Sequence, residues 1–301
     1  METFVPLYIS NKCDSYCSMC NLKHSNSEID RIEASLETIN EQLHIIFEYE
    51  KIHAVCILTG ELFSYEDRLH NLSLVCDAMQ LAFEIGFERI FFNIGSLQNH
   101  EIEFIQAHIS QRKDVVLSLF QETYEEPYYK KHFGQHSDRN MKADFISRRS
   151  TIDRWLDYGF VNVDLGILLG FKPVGEDVHL LIEHAQQCIC RGAEVYISTP
   201  RIKGGLVDDE EYCSILQEIH QKIPDAKIIL TTREGIGLIN KLIDIISVVS
   251  PGSSDVCPYN RGKYIPNDPR TSQFVIDEKR MRPYDVLMSL SYSKPVKYFV
   301  G

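Results

Sequence analysis

The chain has 301 residues, 44% apolar and 25% charged, with 16 glycines, 11 prolines and 9 cysteines. Those proportions exclude collagen-like, low-complexity and disordered chains, and a chain of this length buries roughly three quarters of its unfolded surface. Its 31 basic residues against 43 acidic ones leave a formal net charge of −12, which argues against wrapping a nucleic acid backbone or docking on anionic lipid. No apolar stretch approaches the ~18 residues of a membrane span. The opening Met1–Pro6 has no basic segment followed by an apolar run, so no secretory leader is read. An odd number of unevenly spread cysteines suits a reducing cytoplasm, where thiols serve metals, catalysis or the core. The expectation is a cytoplasmic enzyme or binding protein.

Short β-rich runs alternate with amphipathic stretches from end to end. The pattern predicts strand Phe4–Ser10 then helix Glu28–Tyr49, strand His53–Thr59 then helix Tyr65–Ile85, and strand Arg89–Ile94 then helix Gln98–Ser110. Strand Val115–Phe120 precedes helix Met141–Tyr158, and strand Asn162–Leu168 precedes helix Asp177–Arg191. Ala193–Ser198 is paired with Asp208–Gln221, Lys227–Thr231 with Gly235–Ile243, and Ile245–Val249 closes the series. Ile32, Leu36, Ile39, Leu43 and Phe47 form one apolar stripe at helical spacing. Gly86, Gly159 and Gly192 fall where helices would end. Near-continuous apolar runs such as Val115–Phe120 suit parallel strands covered on both faces. Eight strands alternating with helices, with no linker, predict an α/β fold: one (β/α)8 barrel of the TIM type spanning 1–301, with about 251–301 as a loop and closing helix. Chemistry then belongs at the C-terminal ends of the strands.

Directly after the first strand the chain reads Asn11-Lys12-Cys13-Asp14-Ser15-Tyr16-Cys17-Ser18-Met19-Cys20. Three thiolates spaced C-x3-C-x2-C in a short loop can hold one metal centre, and three ligands on a four-iron cluster leave one iron open. A structural zinc site would need a fourth ligand, for which His24 is the nearby offer. Inert core thiols are the remaining reading, against which Asp14, Ser15 and Ser18 make poor core composition. The motif resembles the signature of the radical S-adenosylmethionine superfamily, whose members bind the cofactor's methionyl group to the open iron and cleave its sulfonium reductively to a 5′-deoxyadenosyl radical. An aromatic residue usually precedes the third cysteine in that superfamily, near the adenine. Met19 stands there in this chain. Thr59-Gly60-Glu61, closing the second strand, resembles the element whose backbone and carboxylate receive the methionyl ammonium, and a helix-capping turn is its plain alternative.

Further along come Phe120-Gln121-Glu122-Thr123-Tyr124, Tyr128-Tyr129, the stretch Ser147 to Arg154, and Val163-Asp164-Leu165-Gly166-Ile167-Leu168-Leu169-Gly170. These segments, with Ile197 to Ile202, Thr231-Thr232-Arg233-Glu234 and Asp277 to Pro283, resemble the aromatic amino acid lyase group of the superfamily. The resemblance spans nearly the whole chain and implies a barrel that binds a 4Fe-4S cluster and S-adenosylmethionine, cleaves the Cα–Cβ bond of an amino acid such as tyrosine, and serves cofactor biosynthesis. It assigns the cluster to Cys13, Cys17 and Cys20, the methionyl or ribose end of the cofactor to Glu61, Glu122 and Arg148, and the adenine to the Met19 position. Arg233, Tyr8 and Ser250 match the positions that grip the substrate, with Arg201 as a second candidate cation. Flavodoxin or ferredoxin is the implied electron donor.

Relatives usually carry an extension before the first strand, whereas the cluster here begins at Cys13, implying a partner subunit over the barrel or an open bottom. The hydrogenase-maturation lyase has a C-terminal extension with a second cluster. This chain stops at Gly301 with only Cys257 in that region, so carbon monoxide and cyanide chemistry is not expected. Cys188 and Cys190 should point apart on a helix, while Cys56, Cys76 and Cys213 fit the core. His24, His132 and His136 read as loop or surface residues, and the Tyr128-Tyr129 pair as packing. Two alternatives stay open: sulfur insertion or methyl transfer, which needs more iron, and a noncatalytic subunit bearing the cluster.

Overall fold

The computed structural model describes residues 1–136, 140–202, 204–231, 233–262, 264–265, 280–292 and 295–301, with the backbone alone at 264, 265 and 280. The first strand comes in two pieces, β1 (Glu2–Thr3) and β2 (Val5–Tyr8), followed by α1 (Leu36–Glu48) and β3 (Ala54–Leu58). Next come α2 (Tyr65–Ile85), β4 (Arg89–Asn93), α3 (Asn99–His108), β5 (Val115–Glu122), α4 (Glu126–Phe133) and α5 (Phe145–Asp157). The second half holds β6 (Asn162–Ile167), α6 (Asp177–Cys190), β7 (Glu194–Ser198), α7 (Asp209–Lys222), β8 (Lys227–Thr231), α8 (Ile236–Lys241) and β9 (Val248–Ser250). A two-residue pair, β10 (Tyr264–Ile265) with β11 (Arg280–Met281), precedes the closing helix α9 (Pro283–Met288).

All neighbours from β2 through β9 pair in parallel, and β9 pairs back onto β1. Because β1 and β2 are one run of chain through Phe4, the sheet returns on itself as a (β/α) barrel of the predicted kind. Buried Val, Ile and Leu on the outer face of the strands pack under the helices, as two-sided burial requires. Trp155 of α5 lies flat on Phe160 at 3.6 Å between ring centroids, and its indole N–H donates to the Asn162 carbonyl. Gly86 ends α2 at φ 115°, a conformation that costs glycine nothing.

Inward-facing Phe4, Phe91 and Tyr196 fill the N-terminal half of the barrel, with Phe4 and Phe91 stacked at 4.3 Å. Tyr298 joins this cluster from the C-terminal segment, which also bridges Glu2 at Lys297 and Ile52 at Phe299. The open bottom expected from the early cysteines is therefore not found. The chain's own last residues cover it, because they carry the aromatic and aliphatic side chains that the barrel's floor needs.

Three element boundaries differ from the sequence pattern. Residues 28–35 form a loop rather than the start of α1: the Asn11 amide donates to Ile32 and Ala34 donates to Ile9, holding this stretch beside the first strand. Ile32 and Leu36 are exposed, and Ser35 caps the helix by accepting from Thr38 N–H. The helix expected from Met141 begins at Phe145, after Asp144 caps it, and α4 lies where no helix was predicted because Pro127 at its start breaks the apolar pattern. The last barrel strand lies at Val248–Ser250 rather than Ile245–Val249. Part of the Asp277–Pro283 motif lies outside the described residues, as does Thr232.

Candidate active site

The cysteine loop is tied down at both ends by one side chain. Arg31 donates to the Asn11 carbonyl at 2.9 Å and the Leu22 carbonyl at 2.8 Å from Nη1, and to the Lys23 carbonyl at 2.7 Å from Nη2. Its middle is stitched to the end of β3, where Asp14 N–H donates to the Glu61 carbonyl and Phe63 N–H donates to the Asp14 carboxylate, each at 3.0 Å. A Cβ on Gly60 would collide with the Lys12 carbonyl and the Cys13 side chain, so the Thr-Gly-Glu turn has glycine where the loop crosses it.

Cys13, Cys17 and Cys20 line a cavity at the C-terminal end of the barrel, roughly 1300 Å³ counted to its open mouth. Burial pushes all three thiols up, Cys17 to about 12, so protein groups alone leave them protonated. A bound metal reverses that by taking the thiolate. Among the described residues no three Cys, His, Asp or Glu side chains meet at one point for a single ion. Three thiols lining one cavity fit the donor set of a cluster, in which each thiolate takes its own iron. Ser15 and Ser254 add buried hydroxyls on the cavity wall that find no partner among the described residues, as a polar guest requires.

Behind the cysteines runs an alternating row of charges. Glu61 Oε2 pairs with Arg148 Nη1 at 3.1 Å, Arg148 Nη2 lies 3.8 Å from Glu122 Oε1, and Lys142 Nζ donates to Glu122 at 2.7 Å. Arg148 Nε also donates to the Phe120 carbonyl at 2.8 Å, and Ser96 N–H donates to Glu61 at 3.2 Å. Burial alone would lower both cations, but the surrounding Cys17, Tyr129 and carboxylate groups prevail and hold Lys142 and Arg148 above their usual values. Glu122 is delivered by a bulge: β5 shifts register between Phe120 and Glu122, and Glu122 sits at φ 69°, a left-handed conformation uncommon outside glycine. Gly95 leaves room for the Glu61 carboxylate, which a Cβ there would strike.

The residues matched to the substrate lie across the same cavity. Tyr8 and Ser250 are buried on its wall, and burial raises the Tyr8 phenol above its usual value. Arg233, two residues past β8, also lines it, and burial lowers its guanidinium against the opposing pull of Tyr8, Cys20 and Glu122. Ten of the eleven residues matched to cluster, cofactor and substrate, Met19 included, thus border one cavity. Arg201 does not: it is spent on Glu234, at 2.6 Å, and on Asp209 at the start of α7. Cys188 is buried and Cys190 exposed, pointing apart as expected, while Cys56, Cys76 and Cys213 are buried.

Sequence reading missed four contributors. Lys142 sits in a short turn before α5 with no motif around it, and Arg31 is one basic residue in a loop read as helix. Phe133, from the unpredicted α4, lines the cavity and belongs to the hydrophobic cluster against which Met19 packs. Asp164 borders the lower cavity with Ser118 and Ser198. Its signal was available, since a carboxylate between Val163 and Leu165 in a barrel strand is rarely accidental.

No family model matches the chain. The 2-iminoacetate synthase of Salmonella typhimurium is 26% identical over 303 residues, covering 96% of this chain and 74% of that protein. The fold aligns with the FeFe-hydrogenase maturase HydG from Carboxydothermus hydrogenoformans at a TM-score of 0.77 and 23% identity, covering 93% of this chain and 64% of that one. This chain thus spans less than two thirds of that structure's length. Methylornithine synthase (PylB) aligns at a TM-score of 0.67 and 21% identity, covering 97% of this chain and 83% of the other. No helix among the described residues is long and apolar enough to cross a membrane. By sequence the chain resembles 2-iminoacetate synthase, and its fold is that of HydG and methylornithine synthase.

Proposed function

We propose that this protein is a radical S-adenosylmethionine lyase that cleaves the Cα–Cβ bond of an amino acid, in the manner of 2-iminoacetate synthase, with tyrosine as the first substrate to test. The observation that carries the reading is the convergence of three cysteines, the Glu61–Arg148–Glu122–Lys142 row and Arg233 on one cavity at the strand ends. When bound, a four-iron cluster with S-adenosylmethionine supplies the electron and the 5′-deoxyadenosyl radical that takes a hydrogen from the substrate.

Cys13, Cys17 and Cys20 would hold the cluster and leave one iron free for the methionyl group. That group is a zwitterion, and the row beside the cysteines offers it a carboxylate for its ammonium and a cation for its carboxylate. Glu61 is the proposed acceptor for the ammonium, with Arg148, Glu122 and Lys142 orienting the rest, and Met19 with Phe133 flanking the adenine. Arg233 binds the carboxylate of the substrate amino acid by a charge-assisted fork, with Tyr8 and Ser250 fixing its amino end. The barrel wall excludes water from a reactive intermediate and holds the substrate in one orientation. For tyrosine, the products are dehydroglycine and p-cresol. An electron from flavodoxin or ferredoxin, a cytoplasmic setting and a role in cofactor biosynthesis belong to the same proposal.

Anaerobic reconstitution followed by iron analysis and electron paramagnetic resonance tests the site. The reading expects about four irons per chain, a reduced-cluster signal that changes when S-adenosylmethionine is added, and loss of both in Cys17→Ala. A single tightly held zinc, or a signal indifferent to the cofactor, would contradict it.

A further inference from the structure

Asp164 lies on β6 with its side chain turned into the barrel, where it borders the lower part of the cavity and is 1% exposed. Ser198 Oγ donates to its Oδ1 at 2.9 Å, and Ser118 Oγ donates to its Oδ2. Among the described residues it has no ion-pair partner. Burial raises the carboxyl to about 7 against the two serine hydrogen bonds, and no nearby cation offsets that. A buried carboxylate inside a barrel strand, with no counter-charge among the described residues, is a costly choice if it only packs. A carboxylate has about four acceptor sites, so two serines leave both oxygens able to accept once more. The serines also fix its orientation, which is what a recognition group needs from its supports.

Its depth defines what it can reach. Ser198 pairs in register with Ile229, and Ile229 lies one inward step, about 7 Å of strand rise, below Thr231 at the mouth. Arg233 follows Thr231, so Asp164 sits well below the group proposed to hold the substrate's carboxylate. We propose that Asp164, oriented by Ser118 and Ser198, receives a hydrogen-bond donor at the far end of the substrate's side chain, and so restricts the enzyme to amino acids with long, donor-tipped side chains. A phenol and an ammonium share that chemistry. Phenylalanine and norleucine lack it and would leave the carboxylate unpaired, the situation in which polar sites discriminate most strongly. The assignment rests on the lyase reading above for the place of the substrate's carboxylate.

Calorimetric titration of the reconstituted protein with S-adenosylmethionine bound, using tyrosine against phenylalanine and lysine against norleucine, tests it. The donor-bearing member of at least one pair is expected to bind tenfold or more tightly, and Asp164→Leu to erase the preference. Asp164→Asn keeps an acceptor oxygen, so it should reduce a preference for the phenol severalfold and abolish one for the ammonium. Equal affinity within both pairs, absence of binding included, or a preference that survives Asp164→Leu overturns the assignment. Should Asp164→Leu fail to fold, an undiminished preference in Asp164→Asn overturns it instead. Release of 5′-deoxyadenosine from the same samples reports on the lyase reading separately. Preference without cofactor cleavage keeps Asp164's role and removes the radical chemistry, and cleavage without preference does the reverse.

Discussion

Arg148 Nη1 lies 3.1 Å from Glu61 Oε2, joining residues 87 apart in sequence, with both side chains almost wholly buried. A buried pair of this kind adds little net stability, but removing one member strands the other charge. Arg148→Ala should therefore lower the unfolding free energy by about 3–5 kcal/mol, read by urea denaturation. Arg148→Lys keeps a charge but loses the fork that reaches both Glu61 and the Phe120 carbonyl, so it should fall between the two. Equal stability of all three proteins would show that the row does not hold the barrel's upper end together.

Gly60 marks where the cysteine loop crosses the end of β3. Gly60→Ala puts a methyl group into the Lys12 backbone and the Cys13 side chain, neither of which can swing aside as a flexible side-chain tip would. The expected outcome is a folded barrel that retains much less iron after reconstitution, with circular dichroism close to that of the parent. Full iron retention would place the loop elsewhere.

Arg31 is not among the residues lining the cavity but bonds carbonyls at both ends of the cysteine loop. Hydrogen bonds to a charged donor contribute roughly 1.5–3 kcal/mol each, without simple additivity. Arg31→Ala leaves all three cysteines in place, so faster iron loss to a chelator would report loop order alone. Unchanged release kinetics would contradict the stapling role.

Asp164 also predicts a pH dependence of stability. Its usual value is 3.8 and the folded value about 7, so the native state keeps a proton that the unfolded chain releases between those pH values. Stability from this group is complete below about pH 4 and is lost as pH rises to 7. Asp164→Asn has no such proton, so its stability relative to the parent should rise across that window by a few kcal/mol, roughly 1.4 kcal/mol for each pH unit crossed. Above pH 7 the difference should stay flat. A difference constant from pH 4 to 8 would contradict the raised value.

The barrel was legible because two-sided burial gives parallel strands an almost unbroken apolar spelling, as in Val115–Phe120. The cysteine spacing and the short strand-end motifs pointed to residues that the fold gathers around one cavity. Helix onsets were less legible. Ile32 continues the helical stripe of Leu36 and Ile39 in sequence, but backbone bonds from Asn11 and to Ile9 hold the residues before Leu36 beside the first strand. Lys142 and Arg31 act through distant partners, and nothing adjacent to either in the chain announces that. Glu122's left-handed turn is set by a register shift between strands, which no single strand encodes.

The measurement closest to the central claim is an anaerobic incubation of the reconstituted protein with reductant, S-adenosylmethionine and tyrosine, read by mass spectrometry. The account predicts tyrosine-dependent 5′-deoxyadenosine together with p-cresol and glyoxylate, the hydrolysis product of dehydroglycine. Cofactor left uncleaved by protein carrying an intact cluster would contradict it.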